Sequence, residues 1–226
     1  MIISVTLNAA MDRTVAVPNF RQGHKHRSVE SRTVPGGKGI NVARALRLLG
    51  RPVIATGLAG GATGDGVLAQ LTEESLLTDF IRIAEETRIN LAVIDPTSNE
   101  QTEINERGPH VRPEELDAFV KRLDYLAGGA TICVLAGSLP PGVDVNTYNR
   151  LVTNLRQRGI TVLLDAEGDA MFSGMRAGPD MVTPNQLEAE ELVGHEFESR
   201  DEVFTALSEL IEMGPSEAAI TLPEGC

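Results

Sequence analysis

Short apolar runs alternate with amphipathic runs along most of the chain, and the alternation predicts strands and helices in turn. Runs such as IISVTLN and TICVLAG are apolar almost throughout, which is typical of strands buried on both faces. Segments such as RPEELDAFVKRLDYLAGG have apolar residues at helical spacing, carboxylates in the first turn and glycine at the end. Strands are predicted within residues 2–8, 52–60, 80–85, 131–137, 160–168, 180–184 and 217–222, and helices within 40–49, 61–75, 112–129, 146–159, 185–194 and 199–214.

Two polar segments interrupt this alternation. Residues 13–34 and 88–107 are rich in β-branched and polar residues, and a turn at about 95–99 suggests a hairpin in the second. From residue 52 onward the pattern predicts βαβ units, a mostly parallel sheet and helices on both of its faces. We therefore expect an α/β fold with a small accessory sheet. The 226 residues, 42% of them hydrophobic, suffice for one large domain or a domain with a small appendage.

The segment TVPGGKGINVARALRLLG, residues 33–50, joins a glycine-rich turn to a predicted helix. Gly36, Gly37 and Gly39 allow the backbone to approach another group closely and to expose its N–H groups. A helix N-terminus carries a partial positive charge and Lys38 adds a full one, so the turn suits an anion. The alternative is a turn that only packs tightly before a core helix. The segment matches neither G-x-x-x-x-G-K-[ST] nor G-x-G-x-x-G.

Polar residues lie where predicted strands end, which is where open α/β sheets bind ligands. Asp12 follows the first strand and is able to accept hydrogen bonds from sugar hydroxyls or to cap its own turn. Arg88 is either a ligand that binds a phosphate through two N–H groups or an ordinary surface arginine. Asn185 and Glu188 lie three residues apart at a helix start. They suit a hydrated Mg²⁺ ion, but spacing alone favours an ordinary N-cap with an acidic first turn.

The distribution of charge says more than the net charge of −12. Residues 13–51 contain nine Lys or Arg and one acid, whereas residues 188–212 contain nine acids and one Arg. The acidic run is typical of solvated helix faces. The basic run surrounds the glycine turn and indicates a small anionic ligand. We expect no nucleic-acid partner, because a polyanionic backbone would be repelled by the rest of the surface.

Other features narrow the class of protein. No apolar run approaches the roughly 20 residues of a membrane span, and the N-terminus has no basic region typical of a signal peptide. The two cysteines, Cys133 and Cys226, do not form a disulfide framework, and Cys133 lies in an apolar strand. We expect a cytoplasmic protein with no membrane partner. The first strand leads to NAAMD rather than to a glycine fingerprint, which excludes a dehydrogenase.

Six motifs occur in one order: TLNAAMD, GGKGINVARAL, GGATGDG, TRINLAV, GSLPPGV and TPNQLEAEELVG. In that order they resemble the PfkB (ribokinase-like) family of carbohydrate kinases over essentially the whole chain. The resemblance is greatest to its sugar-phosphate branch, the 1-phosphofructokinases and tagatose-6-phosphate kinases. It implies a three-layer α/β/α sandwich in which residues 13–34 and 88–107 form a β lid. It also implies ATP and Mg²⁺ as cofactors and a homodimer paired through the lid.

The resemblance also implies roles for individual residues. The glycine turn would receive the phosphorylated sugar, with Asp12 and Asn41 on its hydroxyls and Gly37 allowing the close approach of the backbone. Ser138 would lie in the loop on the substrate side. The residues implied to meet the substrate phosphate are Lys38, Arg88 and Arg27.

For the nucleotide, Asn185 and Glu188 match the N-x-x-E motif that organises Mg²⁺, here through water. Thr221 and Gly225 lie where the family begins its nucleotide loop, and Lys25 is expected to reach the active site from the lid. The implied reaction is ATP-dependent phosphorylation of a ketohexose monophosphate to the bisphosphate. The GGKG sequence favours fructose 1-phosphate over tagatose 6-phosphate and fructose 6-phosphate.

The chain departs from the family at several positions. Ala9 stands where proline is common in the family, and Thr183 stands where lysine is frequent before the PN dipeptide. The segment TLPEGC is one residue shorter than the family's usual glycine-containing loop. The G-A-G-D motif, which carries the family's catalytic base, does not occur. We therefore expect residues 1–226 to be a C-terminally incomplete kinase domain whose base lies beyond Cys226 and which is inactive by itself. The alternative is a non-catalytic sugar-phosphate-binding relic of the same fold.

Overall fold

The computed structural model describes residues 1–222 and residue 225. A seven-stranded sheet forms its centre, and every pairing between neighbouring strands in it is parallel. Its order is β11-β10-β9-β8-β1-β4-β5. These strands are β1 (Ile2–Thr6), β4 (Val53–Gly60), β5 (Leu77–Ile83), β8 (Ile132–Ala136), β9 (Thr161–Asp165), β10 (Met181–Val182) and β11 (Glu217–Ala218).

Helices cover both faces of this sheet, because its strands are apolar on both sides. One apolar core packs Ile40, Ala43 and Val67 against the sheet, and a second packs Phe119 and Tyr148 against the other side. The helices are α1 (Lys38–Leu48), α2 (Gly61–Glu73), α3 (Pro113–Ala127), α4 (Thr147–Gln157), α5 (Gly168–Met175), α6 (Gln186–Val193) and α7 (Arg200–Glu212).

The two polar segments form a second, four-stranded sheet in the order β3-β2-β6-β7. Its outer pairs are antiparallel hairpins, and the central pair, β2 with β6, is parallel. Ala10 pairs with both Gly36 and Arg88, so the near end of this sheet meets the glycine turn. The strands are β2 (Ala10–Ala16), β3 (Glu30–Gly36), β6 (Arg88–Asp95) and β7 (Glu100–Asn105).

Helix α1 begins against strand β1 with almost no space between the two backbones. A Cβ atom on Gly39 would lie 2.3 Å from the carbonyl oxygen of Val5, and the buried hydroxyl of Ser4 donates a hydrogen bond to the Gly39 carbonyl at 2.6 Å. Gly37, the N-cap, has φ of 115°. The structure therefore requires glycine both for the tight packing and for the exposed helix start.

The sequence pattern was wrong about two details of the chain. The helix predicted within 40–49 has apolar residues up to its end, but Leu48 and Leu49 are 77% and 74% exposed, so the buried face of α1 stops before them. Helix α5 was not predicted, since Gly168 and Gly174 within it disfavour a helix. Packing accounts for it: a Cβ atom on Gly174 would lie 2.5 Å from Leu164 Cδ2 in the second core.

None of the helices in residues 1–222 has the length and the apolar character that a bilayer span requires.

We predict that Gly39→Ala lowers the free energy of unfolding by about 1–3 kcal/mol, because the new methyl group would overlap the Val5 carbonyl oxygen. Gly66→Ala in α2 is the matched control, since its Cβ atom would meet only the end of the Met11 side chain at 3.4 Å. That control is expected to be neutral or to stabilise by up to ~1 kcal/mol. Urea unfolding of both variants measures the difference, and equal effects would contradict the packing explanation.

Candidate functional site

Four strands of the large sheet deliver polar residues to one edge. Asn8 follows β1, Ser138 follows β8, Asp165 ends β9, and Thr183 follows β10. Because the carboxyl ends of parallel strands meet at one edge of the sheet, these residues surround the start of α1. Two neighbouring cavities open there.

The first cavity, which we call the lysine cavity, has a volume of about 400 Å³. At its wall the Lys38 ammonium lies 3.2 Å from Asp165 Oδ1, 3.3 Å from Glu188 Oε1 and 3.6 Å from Glu167 Oε1. Thus one cation neutralises part of the charge of three carboxylates. The cavity is lined by Lys38, Asn41, Asp165, Thr183, Asn185, Glu188 and Thr221.

Burial and charge act against each other in this cluster. Partial burial lowers the pKa of Lys38, but the charges of Asp165, Glu188 and Glu167 outweigh it, so the pKa lies above its usual value. Burial raises the pKa of Asp165 above its usual range, although Lys38 draws it down. The lysine therefore stays charged at neutral pH, and Asp165 depends on it as a counter-charge.

Asn185 and Glu188 form the N-cap that their spacing favoured. The Asn185 Oδ1 atom accepts from the Glu188 N–H, and Glu188 Oε2 accepts from the Asn185 N–H, both at 2.9 Å. The other carboxylate oxygen of Glu188 remains directed at Lys38. The cap therefore orients Glu188 toward the cavity, and Asp165 with Glu188 supplies hard oxygen atoms of the kind that Mg²⁺ prefers. Thr221 is held beside it, since its carbonyl accepts from the Gln186 N–H at 3.1 Å.

The second cavity, the arginine cavity, has a volume of about 630 Å³ and is lined by Asn8, Arg88, Ser138 and Glu167 among others. The two Nη groups of Arg88 donate to the carbonyls of Glu106 and Asn8, at 2.9 and 3.2 Å. Burial lowers the pKa of Arg88, against the opposing charges of Asp12, Glu167 and Glu106. Because Glu167 lines this cavity and pairs with Lys38, the two cavities adjoin.

Two buried polar atoms in the arginine cavity region lack a partner within the described part of the chain. They are Oδ1 of Asn8 and Nε of Arg88. The amide nitrogen of Asn8 donates to the Arg107 carbonyl at 3.0 Å and to Ser138 Oγ at 3.2 Å. A buried polar atom without a partner is costly, so these atoms favour a polar ligand in the cavity.

The Gly137–Ser138 turn is held by buried groups. The hydroxyl of Tyr148, a fully buried residue of α4, donates to the Gly137 carbonyl at 2.8 Å, and the Gly137 N–H donates to the Asp165 carbonyl at 2.7 Å. Burial also raises the pKa of Tyr148, which keeps its hydroxyl protonated as a donor. The position of Ser138 is thereby set from the second core.

Asp12 lies on the small sheet, above the glycine turn. Its Oδ1 atom accepts from the Asn90 side chain at 2.9 Å, and a Cβ atom on Gly36 would overlap its carboxylate. Asp12 lines a shallow polar depression of about 330 Å³ with Asn90 and Glu103. Asn41 is exposed on α1 at the lysine cavity.

Three of the predicted site residues lie elsewhere in this chain. Lys25 and Arg27 are exposed between β2 and β3, at the end where Ala16 pairs with Glu30. Seven residues of strand separate them from the glycine turn, or about 20 Å. Gly225 lines an apolar groove beside α7 rather than the lysine cavity.

The basic run of residues 13–51 does not form one positively charged surface around the glycine turn. Arg44 forms an ion pair with Glu74 and donates to the Pro35 carbonyl, away from both cavities. The rest of the basic run is spread over the small sheet and the far end of α1, which leaves Lys38 as its contribution to the lysine cavity.

Five residues of the site were not predicted as site residues from the sequence: Asn8, Asn90, Tyr148, Asp165 and Glu167. Asn8, Asp165 and Glu167 lie at the ends of predicted strands, where ligands are expected, but the sequence did not distinguish them from the other residues at those ends. Asn90 lies within a strand and Tyr148 within a helix core, so the sequence alone offers no signal for either.

Known proteins are similar to this chain in sequence and in fold. The family model described as pfkB family carbohydrate kinase matches residues 3–225. The 1-phosphofructokinase of Bacillus subtilis (strain 168) is 34% identical over 222 residues, which are 98% of this chain and 72% of that protein. Phosphofructokinase-2 from Escherichia coli in complex with fructose-6-phosphate superposes with a TM-score of 0.89 at 30% identity, over 98% of this chain and 74% of that one.

The tetrameric inhibited form of the E. coli protein gives a TM-score of 0.90 at 30% identity, over 98% of this chain and 73% of that one. Arabidopsis thaliana ribokinase complexed with ribose and ATP gives 0.74 at 17% identity, over 98% and 71%, a likeness of fold alone. The mostly parallel sheet between helices, with a small mixed sheet beside it, is thus a ribokinase-like α/β fold, as predicted. Within that class, the chain belongs to the pfkB family of carbohydrate kinases.

We predict that Lys38→Met destabilises the protein by about 1–3 kcal/mol, because it leaves half-buried carboxylates without their counter-charge. Lys38→Met combined with Asp165→Asn is expected to cost clearly less than the sum of the two single changes. Urea unfolding of the double-mutant cycle measures this coupling. The exposed pair Arg158 and Asp124, 3.1 Å apart, is the control and is expected to couple by less than about 1 kcal/mol. Additive effects at Lys38 and Asp165 would contradict the prediction.

Proposed function

We propose that this protein is part of an ATP-dependent kinase that phosphorylates a ketohexose monophosphate to the bisphosphate. The observation that supports it most is the adjacency of the two cavities. One has arginine and unpartnered polar atoms suited to a sugar phosphate, and the other has a lysine among carboxylates suited to a metal-bound nucleotide. Glu167 borders both, so an acceptor in one cavity would lie beside a donor in the other.

In this proposal the sugar lies over the glycine turn. Asp12 accepts hydrogen bonds from sugar hydroxyls, held in place by Asn90, and Asn41 contributes from α1. Ser138 and Arg88 face the substrate from the arginine cavity. Gly37 leaves the helix start open, which places N–H donors near the transferred charge. Positioning of this kind is the main contribution that proteins make to phosphoryl transfer.

The carboxylates of the lysine cavity fit magnesium. Among the residues the structure describes, no three His, Cys, Asp or Glu side chains form a ready metal cage. Mg²⁺ ordinarily takes one or two carboxylates, several waters and substrate phosphates, and Asp165 with Glu188 supplies such a pair. When bound, the ion neutralises charge on the nucleotide phosphates. Asn185 orients Glu188, and Thr221 lies beside them at the proposed nucleotide end of the cavity.

The role that we propose for Lys38 differs from the one that the family resemblance implied. Its ammonium lies with the carboxylates, between the two cavities, rather than free at the sugar phosphate. It remains able to turn toward a substrate phosphate from there, since its side chain is 36% exposed. The structure supports Lys38 as a charge between acceptor and donor phosphates, where it offsets repulsion between them.

We further propose that the small sheet is a lid through which two copies pair. Its outward face carries Ile104 and Ile89, which are 59% and 42% exposed, on the side opposite to Asp12. Contiguous exposed apolar residues mark interaction surfaces. Pairing through this face would also give Lys25 and Arg27 a route to a site that they do not reach within their own chain. The tetrameric form of the E. coli relative is consistent with assembly in the family.

Three sugar phosphates remain candidates. The GGKG sequence favours fructose 1-phosphate, as does the likeness to 1-phosphofructokinase from B. subtilis. The E. coli relative was solved with fructose-6-phosphate, which keeps that sugar among the alternatives. The non-catalytic alternative is favoured by Thr183, an uncharged residue in the lysine cavity at a position where the family resemblance implies lysine.

Calorimetric titration with fructose and fructose 1-phosphate tests the sugar site. We expect Asp12→Asn to weaken both ligands by a similar factor, roughly tenfold, because it removes a charged acceptor for hydroxyls. Arg88→Ala is expected to weaken only fructose 1-phosphate, since its target is the phosphate. Arg51→Ala, at the opposite edge of the sheet, is the control. The proposed site would be contradicted if Arg88→Ala weakened fructose and fructose 1-phosphate alike. It would also be contradicted if neither Arg88→Ala nor Asp12→Asn weakened either ligand.

A coupled assay of ADP release with Mg·ATP and each sugar phosphate tests the reaction, on the 226-residue chain and on the protein from its natural source. Turnover by the natural protein supports the kinase, and binding without turnover supports the relic. That the 226-residue chain is inactive by itself stays a prediction. Sugar-dependent turnover by the 226-residue chain would overturn it.

Light scattering tests the lid interface. We expect Ile104→Glu to raise the dissociation constant of the dimer at least tenfold, because a charge would be buried in an apolar contact. Tyr125→Glu on α3, which is 76% exposed, is the control and is expected to leave assembly unchanged. A monomeric parent protein, or a dimer indifferent to Ile104, would show that the outward face is not the interface.

A further inference from the structure

The short connection between β7 and α3 passes over the arginine cavity and is fixed there by two side chains. Arg88 donates to the Glu106 carbonyl, and Asn8 donates to the Arg107 carbonyl. Asn8 is only 4% exposed. A Cβ atom on Gly108 would lie 2.1 Å from Asn8 Oδ1, and Gly108 has φ of 98°. The backbone on both sides of Arg107 is therefore held at the cavity by contacts that tolerate little movement.

This anchoring places Arg107 on the cavity wall together with Arg88. The Arg107 side chain is exposed, and within the described part of the chain its guanidinium makes no hydrogen bond and no ion pair with a carboxylate. Its charge is thus available to a ligand. Arg112 and Arg158 are paired with nearby acids, whereas the exposed Arg21, Arg51 and Arg176 resemble Arg107 in having no ion pair within the described residues. What distinguishes Arg107 from these three is its place on the wall of the arginine cavity.

Arg88 by itself is poorly placed to neutralise a phosphate. Its two Nη groups already donate to backbone carbonyls, and Asp12, Glu106 and Glu167 surround it with negative charge. A sugar phosphate carries a charge of about −1.5 to −2 at neutral pH. Lys38, the other cation nearby, is engaged by three carboxylates. The cavity therefore needs a further positive charge to favour a dianion.

We propose that Arg107 supplies this charge: it binds the phosphate group of the sugar-phosphate substrate together with Arg88 and makes the site select phosphorylated over unphosphorylated sugars. The inference rests on the proposed sugar-phosphate site and adds to it a specificity-determining residue. Arg88 and Arg107 both line the arginine cavity, so two guanidinium groups lie at the same wall. Arginine forks match phosphate oxygens in geometry as well as in charge.

Calorimetric titration of the 226-residue chain with fructose 1-phosphate and with fructose tests the proposal. We expect Arg107→Ala to weaken fructose 1-phosphate about tenfold or more and to leave fructose unchanged. Arg107→Glu is expected to weaken it further, because a carboxylate repels the dianion, while Arg107→Lys is expected to retain part of the affinity. Arg51→Ala removes the same charge at the opposite edge of the sheet and controls for long-range electrostatics.

The outcomes separate this inference from the proposed function. Suppose that the unsubstituted chain binds fructose 1-phosphate and that Arg88→Ala lowers this affinity but Arg107→Ala does not. The inference is then wrong and the proposed sugar-phosphate site stands. If Arg107→Ala weakens fructose and fructose 1-phosphate equally, Arg107 does not read the phosphate and the inference is again wrong. If the parent chain binds neither ligand, the proposed site fails and the inference fails with it.

Discussion

The close approach of the glycine turn to strand β1 is the constraint on which the site depends. Gly39 lies against the Val5 carbonyl, Gly36 lies beneath the Asp12 carboxylate, and neither position has room for a Cβ atom. This contact brings the start of α1 to the carboxyl edge of the sheet and the near end of the small sheet to the same point. Both proposed halves of the site, for sugar and for nucleotide, are built around it.

Most charged side chains of the site have hydrogen-bond or ion-pair partners. Lys38 sits among three carboxylates, Glu188 is oriented by its own helix cap, and Arg88 is held by backbone carbonyls. In a half-buried setting such networks are stable only when each member is satisfied. Four buried side-chain atoms of the described residues have no partner, and two of them, Asn8 Oδ1 and Arg88 Nε, belong to residues that line the arginine cavity.

The connection from β7 to α3 also links the large sheet to the small sheet. Asn8 and Arg88 hold it by its carbonyls, so residues of the large sheet and of the small sheet both position it. The two sheets are thus joined through this connection at the arginine cavity, and a ligand in that cavity would lie beside both.

The sequence by itself determined the alternation of strands and helices, the two segments of the small sheet and the family. These follow from local periodicity and from motifs that are contiguous along the chain, such as the glycine turn and the Asn185–Glu188 cap. Only the tertiary structure decided which charges meet. Lys38 and Glu188 are 150 residues apart, so no local pattern connects them. The structure likewise placed Lys25 and Arg27 away from the site and showed Arg107 at a cavity. Contacts of this kind depend on strand order and loop anchoring, which side-chain spacing along the chain does not encode.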